Sequence, residues 1–109
     1  MTTRVISVSR DFSPFPGPRY IRQGENSGEK FRRLLVSALD QSPIVVVDLD
    51  GTRGFGSSFL DEAFGGLVRA EGMSTADVLR RVEIRSEQDQ SYREEAIQSI
   101  KDAKRSESL

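Results

Sequence analysis

Asp48 and Asp50 stand two residues apart at the end of the apolar run 44–47, with Gly51 and Thr52 directly after them. Carboxylates at that spacing could carry phosphoryl transfer. Asp48 would be the nucleophile that forms an aspartyl-phosphate, Asp50 the acid and base, with a Mg²⁺ ion beside both. The plainer use of the same residues is a turn, because aspartate bonds turn amides and glycine takes a positive φ there. Arg19 and Arg22 flank Tyr20 in a stretch rich in proline and glycine. They could grip a nucleotide or phosphorylated ligand, or simply pair with Asp11, Glu25 or solvent. The phosphate-cradling patterns GxxxxGKS/T and GxGxxG are both missing. The chain has no cysteine, histidine or tryptophan. That removes disulfides, Cys/His zinc sites and every catalytic device built on a Ser-His or Cys-His pair.

The elements that must position these groups are legible in the apolar pattern. Residues 5–8 with Phe12 form a β-branched run that predicts a first strand. Three prolines and a glycine in 13–18 predict a loop, and 19–22 a short second strand pairing back on the first. Asn26 or Ser27 caps a helix, Glu29 completes a capping box with Asn26, and Phe31, Leu34, Leu35, Ala38 and Leu39 make one stripe. The run 44–50 is almost continuously apolar, as in a central strand covered by helices. A second helix carries Phe59, Leu60, Ala63, Phe64, Leu67 and Val68. Its Gly65-Gly66 pair predicts a close approach of a neighbour, since two glycines otherwise cost ~1 kcal/mol each. A capped turn or short helix over 74–81, a strand over 82–84 and a helix bearing Tyr92, Ala96, Ile97 and Ile100 complete an α/β order. Phe12, Phe15 and Phe55 fall in loops, either as satellite core or as a docking patch.

Sixteen basic residues face seventeen acidic ones, for a net charge of −1, which argues against a nucleic-acid or membrane-surface binder. Within 1–40 the balance is seven basic to four acidic, so the rest is acid-rich. No run reaches the ~18–20 apolar residues of a membrane span, and no signal-peptide core follows Met1. A cytoplasmic protein is expected.

The segment Val47-Asp-Leu-Asp-Gly-Thr52 resembles the first motif of the haloacid-dehalogenase-like phosphatases. That family adds a later strand ending in Ser or Thr, a lysine at the phosphoryl group and a further acidic pair. After Thr52 these have no counterpart, so a Mg²⁺-dependent phosphotransferase is the lesser reading.

A longer stretch resembles another family. Val45-Val-Val-Asp-Leu-Asp-Gly-Thr-Arg-Gly-Phe-Gly-Ser-Ser-Phe-Leu-Asp-Glu-Ala-Phe-Gly65 is similar to the central strand, loop and helix of the STAS domain, and in particular to the bacterial single-domain STAS-like group. Pro16-Gly17, Arg19, Ser27-Gly28-Glu29 and Val82-Glu83-Ile84 fit the same group, so the likeness spans most of the chain. In the anti-sigma-factor antagonists of this fold, the loop after the central strand carries a serine that a partner kinase phosphorylates, and the phosphate releases the kinase. By position Ser58 matches that serine and Ser57 its neighbour. A phosphate there would meet the free N–H groups and the positive end of a helix. The chain departs from the pattern at both flanks, with Gly56 in place of the aspartate and Phe59 in place of the glycine. Ser58 with Asp61 also reads as an ordinary capping pair.

The expectation is therefore a small α/β layer fold of the STAS-like type. It would have a mixed central sheet of about four strands with helices packed on it, one domain over 4–104 and a frayed tail over 105–109. The resemblance implies a non-enzymatic regulatory module of bacterial signalling that works by partner switching. Its protein partner, kinase-like or ATPase-like, would dock on Gly54, Phe55, Gly56, Ser57, Ser58, Asp61 and Glu62. A nucleotide or phosphate sensor using Arg19 and Arg22 is the alternative. No cofactor, metal, nucleic acid or membrane is expected, and the last helix either caps the sheet or packs on a second copy of the chain.

Overall fold

The computed structural model describes residues 3–104; the tail expected over 105–109 lies outside the described residues. Strand β1 is Thr3–Ser7, helix α1 Gly28–Gln41 and strand β2 Ile44–Asp48. Helix α2 covers 57–69, helix α3 is Thr75–Arg81, strand β3 Val82–Arg85 and helix α4 Gln90–Asp102. The three strands form one parallel sheet in the order β1-β2-β3. Helical crossovers join β1 to β2 and β2 to β3, the connection that parallel neighbours require.

The sheet is thus three-stranded and parallel, where a mixed sheet of about four strands was expected. The predicted strand at 19–22 does not form. Tyr20 N–H donates to Gln23 Oε1 and Ile21 N–H to Glu29 Oε1, and Ile21–Gln23 closes as a 3₁₀ turn. Local side chains have taken the donors that a strand ladder would need. The first strand also ends one residue early. Ser7 Oγ accepts from Arg10 N–H and Asp11 accepts from Ser7 N–H, winding Val8–Phe12 into a π turn.

Helix α1 is capped by Ser27, whose hydroxyl accepts from Lys30 N–H. The Asn26–Glu29 capping box is not made, because Glu29 reaches Ile21 instead. Phe31, Leu35, Ala38 and Leu39 are buried as the stripe predicted. They meet Ile6, Val45, Val47, Val82 and Ile84 in one core to which every α-helix contributes. β2 is central, but its residues divide between the faces. Val46 lies outside that core in a row with Val5 and Glu83, and Val5 is 51% exposed.

Helix α2 has α-helical ends, Ser57–Leu60 and Gly66–Arg69, around a π turn at Asp61–Gly65. The expected close approach at Gly65-Gly66 is present. A Cβ on Gly65 would stand 3.1 Å from Ser99 O of α4, and one on Gly66 would stand 2.5 Å from the Arg32 guanidinium. No helix among the described residues is long and apolar enough to cross a membrane.

Candidate functional site

The loops that leave the carboxyl ends of the three strands gather at one end of the sheet, the usual place for function in an open parallel sheet. Asp50 builds this end. Its carboxylate accepts from Glu87 N–H at 3.1 Å and Gln88 N–H at 2.9 Å, and Gln88 Oε1 accepts from Gly51 N–H at 2.8 Å. Asp48 Oδ1 accepts from Asp50 N–H at 2.9 Å. Both aspartates therefore act as turn builders: Asp48 closes the turn after β2, and Asp50 binds that turn to the loop after β3. Gly51 sits at φ 89°, where a side chain would also strike Ser9 Oγ. Among the described residues no three Asp or Glu side chains gather as metal ligands.

The loop then climbs to α2. Phe55 is half-buried, its ring 5.4 Å from Phe59 and 5.3 Å from Tyr92, and Phe12 packs on Phe31 and Phe59. These two are satellite core. Phe15 is different: it is 56% exposed, with the Arg53 guanidinium 5.5 Å from its ring centroid. Arg53 N–H donates to Pro14 O at 2.8 Å, which fixes the two loops to each other. Sequence reasoning passed over Arg53, whose only signal was its place between Thr52 and Gly54.

The helix starts one residue before the predicted cap. Gly56 is the N-cap and offers no side-chain acceptor, while Leu60 N–H donates to Gly56 O. Ser57 and Ser58 become the first two helical residues, both exposed, and the Ser58–Asp61 capping pair is not made. Burying Phe59 and Leu60 together sets this phase.

Asp61 and Glu62 turn away from that surface into a cluster of three arginines and three acids. Arg19 Nη1 lies 2.7 Å from Asp61 Oδ2 and 3.1 Å from Glu62 Oε1. Arg32 Nη1 lies 2.6 Å from Glu62 Oε2 and donates to Glu62 O, while its Nε reaches Glu71 at 2.9 Å. Arg69 closes the group on Asp61 at 3.2 Å. Glu62 is 6% exposed and Arg32 8%. Hydrogen bonding to Asp61 holds the Arg19 guanidinium above the ordinary arginine range, against a smaller cost of burial. Burial lowers Arg32, yet its bonds to Glu62 and Glu71 outweigh that and hold it higher as well. Of the residues expected to face a partner, Glu62 is buried and Asp61 is engaged by two arginines. Of the two expected on a ligand, Arg19 is part of this clamp and Arg22 is not. Arg32 had a signal that sequence reasoning missed: with Leu35 and Leu39 it lies at i, i+3 and i+7 on the apolar side of α1.

The family described as a STAS-like domain of unknown function (DUF4325) matches residues 27–92, well over half of the chain. The protein belongs to that family. No curated protein and no solved structure matches it. Within this STAS-like domain the matched segment begins at the cap of α1 and runs through β2, α2, α3 and β3 into α4. It holds Ser57, Ser58, Arg32 and all three acids of the clamp, whereas Arg19 and β1 precede it.

Proposed function

We propose that this STAS-like domain is a non-enzymatic regulatory module of the cytoplasm. It binds a protein partner, kinase-like or ATPase-like, through the loop Gly54, Phe55, Gly56 and the helix start at Ser57 and Ser58, with Phe15 and Arg53 beside them. Phosphorylation of Ser58 or Ser57 weakens that contact. One observation carries the reading: two exposed serines open a helix whose N-cap is a glycine. The N–H groups of the first turn are therefore not covered by a cap side chain, and a phosphate there gains both their hydrogen bonds and the helix dipole. The carboxylates of Asp61 and Glu62, one turn further along the helix, are neutralised by Arg19, Arg32 and Arg69. The engagement of Asp48 and Asp50 by backbone amides favours binding over phosphotransfer.

The test is recovery of partners from the source cell with Ser58→Ala and Ser58→Glu, together with a phosphopeptide spectrum of the native protein. The expected result is a partner retained by Ser58→Ala, lost by Ser58→Glu, and a phosphate mapped to 57 or 58. Equal recovery with both variants and no phosphate would refute it. So would Mg²⁺-dependent hydrolysis of an aryl phosphate that Asp48→Asn abolishes.

A further inference from the structure

The 3₁₀ turn Ile21–Gln23 lies against the first turns of α1, and between them runs an open groove of about 470 Å³. Tyr20, Ile21, Arg22, Glu29 and Arg33 line it. The turn is held from several sides. Besides the bonds from Tyr20 and Ile21 already described, Gln23 N–H donates to Tyr20 O and Gly24 N–H to Ile21 O. Gly28 and Glu29 N–H donate to Pro18 O and Arg19 O. Arg19 then pins the loop onto α2. So much internal bonding leaves little conformational freedom to lose on binding.

What this rigid loop presents is apolar and basic. Ile21 is 39% exposed, although a loop so well tied could have hidden it. The Arg22 guanidinium stacks 5.0 Å from the Tyr20 ring centroid, which orients it while leaving its N–H edge open. Arg33 is exposed one turn along α1 from Glu29. Arg19, Arg32 and Arg69 are neutralised in the clamp, but among the described residues Arg22 and Arg33 enter no ion pair. Glu29, the acid of the groove, is held on the Ile21 amide.

From this charge imbalance we infer that the groove binds an acidic, partly aliphatic peptide segment of another protein. Its carboxylates would take the guanidinium forks of Arg22 and Arg33, and an aliphatic side chain would cover Ile21 against Tyr20. Arginine's planar fork matches a carboxylate in two parallel bonds. A nucleotide is the poorer occupant. Phosphates are held largely by free backbone N–H groups, and those of Tyr20, Ile21, Gln23 and Gly24 are already bonded within the turn. The groove shares no lining residue with the serine-bearing loop, and the inference does not depend on the function proposed there.

Amide NMR spectra of the full chain, titrated with a short peptide of glutamates interrupted by leucines, test the assignment. The same peptide with glutamine for glutamate, ATP with Mg²⁺, and inorganic phosphate serve as comparison probes. The expected result is saturable shifts confined to 20–23 and 29–33 with the glutamate peptide alone. Binding should weaken by roughly tenfold or more in Arg22→Ala/Arg33→Ala, a double variant of exposed residues whose remaining spectrum stays unchanged. Absence of saturable shifts, shifts elsewhere, equal binding of the glutamine peptide, or the same shifts from ATP or phosphate would each overturn it.

Discussion

Glu62 lies among three arginines, and these neighbours explain why it can be so deeply buried. Its two carboxylate oxygens meet Arg32 and Arg19, and its own carbonyl takes a further Arg32 N–H. Glu62→Gln keeps the shape but removes the charge facing a buried guanidinium. We expect a loss of roughly 3 kcal/mol, the low end for a broken buried pair because Arg32 keeps Glu71, read as a lower urea midpoint with unchanged slope. The pH dependence follows from the raised Arg19 and Arg32. A raised group contributes fully below its unfolded pKa and loses that contribution only as pH climbs through the higher folded value. The difference in melting temperature between the wild type and Arg32→Met should therefore stay constant from about pH 7 to about pH 10; a gap that closes over that range would contradict the clamp. Ser57 and Ser58 were marked out by the family resemblance, whereas the spacing of Ser58 and Asp61 predicted a cap that does not form. The clamp around Glu62 and Asp61 was not legible, because Arg19 and Arg32 lie 30 to 43 residues away and leave no local trace.

At the scale of elements, α1 and α2 meet so closely that one glycine decides their distance. A Cβ on Gly28 would stand 2.5 Å from Phe59 O and 3.1 Å from Phe59 Cα. Alanine is the better helix former by ~1 kcal/mol, so propensity predicts a gain from Gly28→Ala. The backbone contact reverses the sign, and a net loss of about 2 kcal/mol in urea unfolding is expected. Asp50→Ala frees the loop after β3 from the loop after β2. It should cost about 1 kcal/mol, the site being half-exposed, and speed amide exchange at Glu87 and Gln88. The helices were legible because their apolar periods run for several turns, and the central strand because its apolar run is unbroken. The strand expected at 19–22 was not, since it depended on which acceptor Tyr20 and Ile21 would find. Glu29 and Gln23 lay nearer than any strand.

For the molecule as a whole, the sheet places its best-buried strand in the middle, with Val45 and Val47 fully covered and Val46 screened between Val5 and Glu83. Native-state hydrogen exchange should be slowest at 45–47 and faster in β1, whose Val5 is half exposed; slower exchange in β1 than in β2 would show that another surface covers it. The parallel order itself could not be read from any one strand, because neighbours are chosen by the crossovers between them. Since spatial order repeats chain order, a ribosome releasing this polypeptide hands each new strand a neighbour that has already emerged. The loop around Arg19 is the exception. Its acidic anchors are made more than forty residues later, so during synthesis this corner stays unlatched until the second crossover has left the tunnel.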